Sequence, residues 1–177
     1  MSQSTTIYSI SKDIFEDLKN SENRREFKIF TKAKEYYTFE NSFCGIEFVL
    51  KKASPKNETV LMSIFNPVDY LGDFDFENSD VVDMMDFIES GNYVPYLTSE
   101  KIAGVNEIIS NMTEIDIQNN YSAKDLNENE IYPSNWSDVN LKGKDNNLNF
   151  LIEDFIKLKK IISRANAEKN YLLICSG

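Results

Sequence analysis

The sequence predicts an α+β fold: a single compact domain over residues 1–177, in which short mixed or antiparallel strands pack with several helices. Three observations lead there. Short apolar runs suited to strands are separated by clustered helical signals, rather than alternating one strand with one helix. A sustained 3–4 spacing of apolar residues marks a long C-terminal helix, and a last apolar run marks a final strand after it. The length of 177 residues suits one domain, with enough buried surface for a core that needs no disulfide staples.

The elements follow in order. Ser11 is a good helix N-cap, with Asp13 in the first turn and Ile14, Phe15 and Leu18 on one face, which predicts a short helix over 11–19. Residues 21–34 mix charges with Phe27 and Ile29 and fit helix or strand. Asn41 or Ser42 caps a second helix that turns Phe43, Ile46, Val49 and Leu50 to the core. The run TVLMSIF at 59–65, bounded by SPKN and NP, suits a buried strand. The piece DFDFE at 73–77 alternates and places Phe74 and Phe76 on one side if extended. Residues 80–89 read as a short helix with Val81, Met84, Met85 and Ile88 inward. Gly91-Asn92 is a turn, and Tyr93 to Leu97 is extended, with Pro95 keeping it at an edge.

Thr98 caps a helix carrying Ile102, Val105, Ile108, Ile109 and Met112, and Thr113 opens a shorter one to about Tyr121. Residues 122–146 are polar, Asn-rich and loop-like, interrupted by IYPSNW at 131–136. The long helix runs from Asn147 to Glu168 with Leu148, Leu151, Ile152, Phe155, Leu158, Ile162 and Ala165 inward. Tyr171 to Cys175 closes the chain as a buried strand. No internal repeat or linker divides it.

Composition narrows the chemistry. There is no histidine, which removes Ser-His-Asp and Cys-His nucleophilic sites, His proton shuttles and the usual His-containing zinc sites. Cys44 and Cys175 both sit in apolar runs without a histidine base, so each reads as a small hydrophobe. No phosphate-cradling GxxxxGK[ST] or GxGxxG motif occurs. The opening MSQSTTIYSISKD lacks signal-peptide character and no apolar run is long enough for a membrane helix, so a cytoplasmic location is expected. No catalytic residue, metal ligand set or cofactor is predicted.

Charge is unevenly placed. The chain carries 19 basic and 29 acidic residues, a net −10, yet residues 57–100 contain no Lys or Arg and ten of the carboxylates. The remainder is balanced, since 29 minus ten leaves 19 acidic residues against 19 basic. Such a field disfavours nucleic acid and anionic membrane and attracts a basic protein surface or a cation; a solvated face that only confers solubility is the other reading. Within it, Asp73, Asp75, Glu77, Asp80 and Asp83 are the candidate partner-binding residues. As a calcium loop the segment fails, because Asn78 stands where Gly is needed and Met84 where a bidentate Glu is needed. The aromatics Tyr93, Tyr96, Tyr132 and Trp136 are candidates to line a pocket or plug the core, with Trp136 favoured as a plug and an exposed partner anchor as its other reading.

The run YVPYLTSEKIAGVNEII at 93–109, IYPSNW at 131–136 and the closing LNFLIEDFIKLKKIISRANAEKNYLLICSG resemble the YfbM-like family, the bacterial domain of unknown function catalogued as 1877. The matching positions are Tyr93, Leu97 and Thr98, then Tyr132, Pro133 and Trp136, then Asn149 to Ala167. ENSFCGIEFVLKK also matches, with Phe43 where a Trp is usual. The resemblance implies a compact α+β domain and carries over no activity. The function expected from the residues is a non-catalytic protein-binding module, of the kind that neutralises a basic toxin in an immunity pair, acting through segment 57–100. The alternative is a small-ligand binder or Mg-dependent enzyme in which acidic residues converge with Tyr93, Tyr96 or Tyr132. Oligomeric state is left open.

Overall fold

The computed structural model describes residues 3–139 and 146–177. Its centre is a five-stranded sheet, antiparallel at every pairing, built from β1 (Ser4–Ile10), β2 (Glu35–Glu40), β3 (Tyr70–Leu71), β4 (Val94–Leu97) and β5 (Tyr171–Ser176) in the order β2-β1-β5-β4-β3. The helices among the described residues are α1 (Lys12–Lys19), α2 (Ile29–Lys32), α3 (Phe43–Ala53), α4 (Glu58–Met62), α5 (Val81–Glu89), α6 (Ser99–Ile109), α7 (Glu114–Asn120), α8 (Ala123–Glu128) and α9 (Leu148–Glu168). The expected α+β architecture is present, including the long helix followed by a final strand. None of the described helices is long and apolar enough to cross a membrane.

The two-residue period of a strand assigns each face of the sheet to a different core. Ile7, Phe39, Leu172 and Ile174 join Ile46, Leu50, Ile102, Ile109, Phe155 and Ile162 in the main core beneath α3, α6 and α9. Ile10 and Leu173 turn to the other face, where Phe15, Leu18 and Val94 complete a smaller core under α1. Central β5 therefore has neighbours on both faces, as its continuous apolar run requires.

Capping chemistry sets the helix starts. Ser11 accepts from the Ile14 N–H, Thr98 from Lys101 and Asn147 from Phe150. Thr113 and Asp116 form a reciprocal capping box on α7. Those backbone and hydroxyl hydrogen bonds hold the Asp116 carboxyl below the usual carboxylate range. A depressed native value adds stability above the ordinary carboxylate range and loses it as pH falls through the native one. Asp116→Asn is expected to remove that part of the acid dependence, read as a flatter stability-against-pH curve below neutrality.

Several expectations are corrected. Residues 59–65 form helix α4 and a following turn rather than a strand; Leu61, Ile64 and Phe65 are buried at i, i+3 and i+4 while Val60 and Met62 are exposed. A short apolar run does not distinguish the two periods, and the helical spacing prevails. Residues 73–77 are loop and turn, because Asp75 Oδ1 accepts from the Glu77 and Asn78 backbone N–H groups. The stretch 122–139 contains α8, capped by Ser122 on Asp125; residues 140–145 of the expected loop lie outside the described residues. Pro95 is not at the sheet edge, since Tyr70 of β3 pairs with it; it instead limits the β4–β5 ladder to Tyr96 and Leu97. Ser42 precedes α3 without capping it through its side chain. Strands β1 and β2 have no counterpart among the expected elements, and the ambiguous stretch 21–34 resolves into a 3-10 turn at Arg24–Glu26 and α2.

Both cysteines are free and half-buried. Burial pushes the Cys175 thiol up to about 11, and burial with the nearby Glu47 carboxylate raises Cys44. Thiolate is the reactive form, so native alkylation of Cys175 is expected to be slow at pH 8 and to accelerate as pH rises toward 11. Timed maleimide labelling read by mass spectrometry checks this; fast labelling at pH 8 would contradict the buried placement.

Candidate functional site

Beyond the β3 edge, residues 72–93 form a lobe packed on its own rings. Phe74 stacks on Phe87 at 4.6 Å, and Phe76 meets Tyr70 edge-on at 5.2 Å and Tyr93 at 5.8 Å. The Tyr70 hydroxyl donates to the Phe74 carbonyl at 2.9 Å. Burial, and then the Tyr70 phenol, raise the Tyr93 phenol above its ordinary value. Gly72 permits this arrangement: it sits at φ +123°, and a Cβ there would run into the Phe87 ring.

Asp80 starts α5, its Oδ1 accepting from the N–H groups of Val82 and Asp83 at 2.9 Å. Only Met84 and Phe87 of this helix reach the half-buried side. Val81 is 71% exposed, Val82 67%, Met85 52% and Ile88 44%. The expected inward set is thus corrected for Val81, Met85 and Ile88. Phe74 and Phe76 already fill the space beneath the helix, and a stripe of two side chains is all the lobe has room to cover.

At 100° per residue, Val81, Met85 and Ile88 fall on one ridge at i, i+4 and i+7. On the same helical wheel Glu89 flanks the ridge, Asp86 lies farther round and Asp83 stands on the opposite face. None of the ion pairs among the described residues involves Asp73, Asp75, Glu77, Asp80, Asp83, Asp86 or Glu89. Among the described residues, the ion pairs of the acidic segment are Glu58 with Lys51 at 3.3 Å and Asp69 with Lys101 at 2.7 Å, and the Arg25 side chain lies against Gly91.

The candidate residues named from the sequence divide between surface and scaffold. Asp73, Glu77 and Asp83 are exposed on the lobe. Asp75 and Asp80 are exposed too, but their oxygens hold the turn and the cap; hydrogen bonds from Asn78 and Glu77 keep the Asp75 carboxyl low. Tyr93 belongs to the lobe's ring cluster. Tyr96 packs on Phe15 at 4.8 Å in the smaller core. The Tyr132 hydroxyl accepts from Gln3 N–H at 3.2 Å and donates to Asn41 Oδ1 at 3.1 Å, beside the start of α3. Trp136 is 4% exposed and plugs the main core. The three tyrosines thus stand in three separate environments. Among the described residues, no group of three or more His, Cys, Asp or Glu is placed to hold a metal ion.

The sequence places Asp86 and Glu89 among the carboxylates of the acidic segment but does not reveal the outward direction of the apolar ridge. The 81, 85, 88 spacing was visible; what identified its direction was the competing demand of four nearby aromatic rings for the same small interior.

The family model described as "Domain of unknown function (DUF1877)" matches residues 1–175. Among solved structures, the chain is similar to "a Protein of Unknown Function YfbM from Escherichia coli", with TM-score 0.59 and 15% identity, over 97% of this chain and 98% of that one. At that identity the likeness is one of fold. No curated protein matches the chain.

Proposed function

The chain belongs to the DUF1877 family, and from that premise we propose that it is a non-catalytic protein-binding module that captures a basic partner through α5. The observation carrying this reading is the ridge of Val81, Met85 and Ile88, exposed on a helix that also presents Asp83, Asp86 and Glu89, in a segment without a Lys or Arg. An exposed helix with apolar anchors at i, i+4 and i+7 fits the helix-in-groove mode of recognition. The complementary surface is an apolar groove rimmed by Lys or Arg. The apolar anchors supply affinity, and the carboxylates steer encounter and reject acidic competitors. A basic toxin held inactive in an immunity pair is the partner type this chemistry suits, with the cytoplasm as the site of action.

Two variants test the reading with little disturbance of the lobe, because they spare Asp75 and Asp80. Glu77→Gln/Asp83→Asn/Asp86→Asn/Glu89→Gln is expected to slow association with a basic partner about 10-fold or more at low salt and to flatten the salt dependence. Val81→Ser/Met85→Ser is expected to accelerate dissociation instead. Affinity capture with wild type and both variants at two salt concentrations, followed by kinetics on the protein retained, provides the measurement. A wild-type partner bound equally well by both variants would sink the proposal.

A further inference from the structure

Beside β2, at the sheet edge opposite the lobe, lies a polar crevice of about 270 Å³ lined by Thr38, Glu40, Asn41, Phe150, Asp154 and Lys157. Its floor is unusual. Asp154 is 1% exposed and interrupts the core-facing row of α9 between Leu151, Phe155 and Leu158. Its Oδ2 accepts from Ser42 Oγ at 2.5 Å and its Oδ1 from Lys157 Nζ at 2.6 Å. Ser42 is itself fully buried and gives its hydroxyl to this carboxylate instead of to the α3 N-terminus. Asn41, next in the lining, is held at φ +58°, and its side chain accepts from Tyr132.

Each of these features runs against a simpler local choice. A carboxylate buried in an apolar helical row is costly unless it is paired, and here its cation, Lys157, stays half-exposed at the crevice. Such departures gather where a site is being held in shape. An ionised carboxylate has roughly four acceptor positions. Ser42 and Lys157 occupy two at Asp154, fixing its orientation and leaving acceptor capacity beside the crevice.

We propose that this crevice is a binding site for a small neutral polyol of about monosaccharide size. Lys157 cancels the charge of Asp154 at 2.6 Å, and the remaining charged group of the lining, Glu40, disfavours an anion. Carboxylate and ammonium side by side match a vicinal diol, one hydroxyl donating to Asp154 while its neighbour accepts from Lys157. The Phe150 ring offers a wall for a C–H face, while Thr38, hydrogen-bonded to Thr6 at 2.9 Å, and Asn41, bonded to Tyr132, shape the rest of the lining. The volume falls just below the roughly 300–1,000 Å³ of sites for larger ligands, which limits the occupant to one ring.

The test is an NMR titration of the isotopically labelled full chain with glucose, galactose, mannose, ribose and myo-inositol, with glycine and inorganic phosphate as charged probes. At least one polyol is expected to shift the amides of Asn41, Ser42 and Asp154 saturably. Lys157→Met, which alters a half-exposed side chain, is expected to weaken that binding about 10-fold or more while the remaining spectrum shows the fold intact. The α5 charge variant is expected to bind the polyol like wild type, so this site and the partner surface succeed or fail separately. Absence of saturable shifts with all five polyols, preference for glycine or phosphate, or unchanged affinity in Lys157→Met would overturn the proposal.

Discussion

Truncating Trp136 to alanine is expected to destabilise the protein by about 3–5 kcal/mol, the usual cost of removing a large aromatic from a packed core. The indole lies against Gly45 of α3, so closely that a Cβ on that glycine would overlap the ring. Its Nε1 donates to the Ile131 carbonyl at 2.8 Å. Its backbone is clasped by Asn127, which accepts from the Trp136 N–H at 2.8 Å and donates to its carbonyl at 3.0 Å. The alanine variant leaves a cavity between α3 and the 131–136 loop and removes one of two hydrogen bonds to the Ile131 carbonyl, which keeps the one from the Ser134 N–H at 2.8 Å. Against a typical total of about 5–15 kcal/mol, such a loss brings the variant near the threshold of folding. Denaturant unfolding followed by far-ultraviolet circular dichroism measures it, and a change below about 1 kcal/mol would show that the indole does not bear on the core. Gly45→Val approaches the same contact from the other side and is expected to force the ring out, with a comparable loss.

Replacing Phe87 by alanine is expected to act differently, melting α5 while leaving most of the fold in place. Phe87 touches Phe74 at 4.6 Å, Phe76 at 5.9 Å, Tyr93 at 6.2 Å and Tyr70 at 6.5 Å, and so lies at the hub of the lobe's rings. No residue of α5 is fully buried, so without Phe87 only half-buried Met84 holds the helix down. An isolated helix of nine residues is not stable in water. Hydrogen exchange should show amides 81–89 losing protection while those of β5 and α9 keep theirs. If the proposed function holds, partner affinity falls about 100-fold or more in the same variant, because an ordering cost is added to every binding event. Retained protection across 81–89 would mean that the lobe does not depend on its ring cluster.

The sequence was most legible where one signal stood alone. The α9 pattern is long enough for its 3.6-residue period to exclude a strand, and Ser11, Thr98 and Thr113 are caps followed by apolar spacing. Legibility failed where two periods fit the same residues, as at 59–65. It failed for β1 because Thr5 and Ser9 are buried polar residues on its core face, which hides the alternation that Ile7 alone would announce. For the lobe, helix and cap were readable, but burial depends on what lies beneath a helix, and Phe74 and Phe76 come from a loop whose path was set by the Asp75 turn. The crevice was invisible for a related reason: Ser42 and Asp154 are 112 residues apart, and a single carboxylate in an apolar helical row looks like a break in the pattern until its partners are seen.

The pairing of β1 with β5 sets a timetable for the nascent chain. Ser9 lies opposite Leu172, and Ser4 exchanges backbone hydrogen bonds with Gly177 at 3.1 and 3.0 Å. During translation β1 can pair only with β2, and β4 only with β3, until residues 171–176 clear the ribosome. Two half-sheets therefore wait with open edges, each a template for pairing with another chain. The strand that joins them follows both half-sheets in the chain, and bringing it to β1 closes the long loop between Ile10 and Tyr171, a slow step. A ribosome paused before residue 171 holds two unjoined half-sheets, and β5 converts them into one.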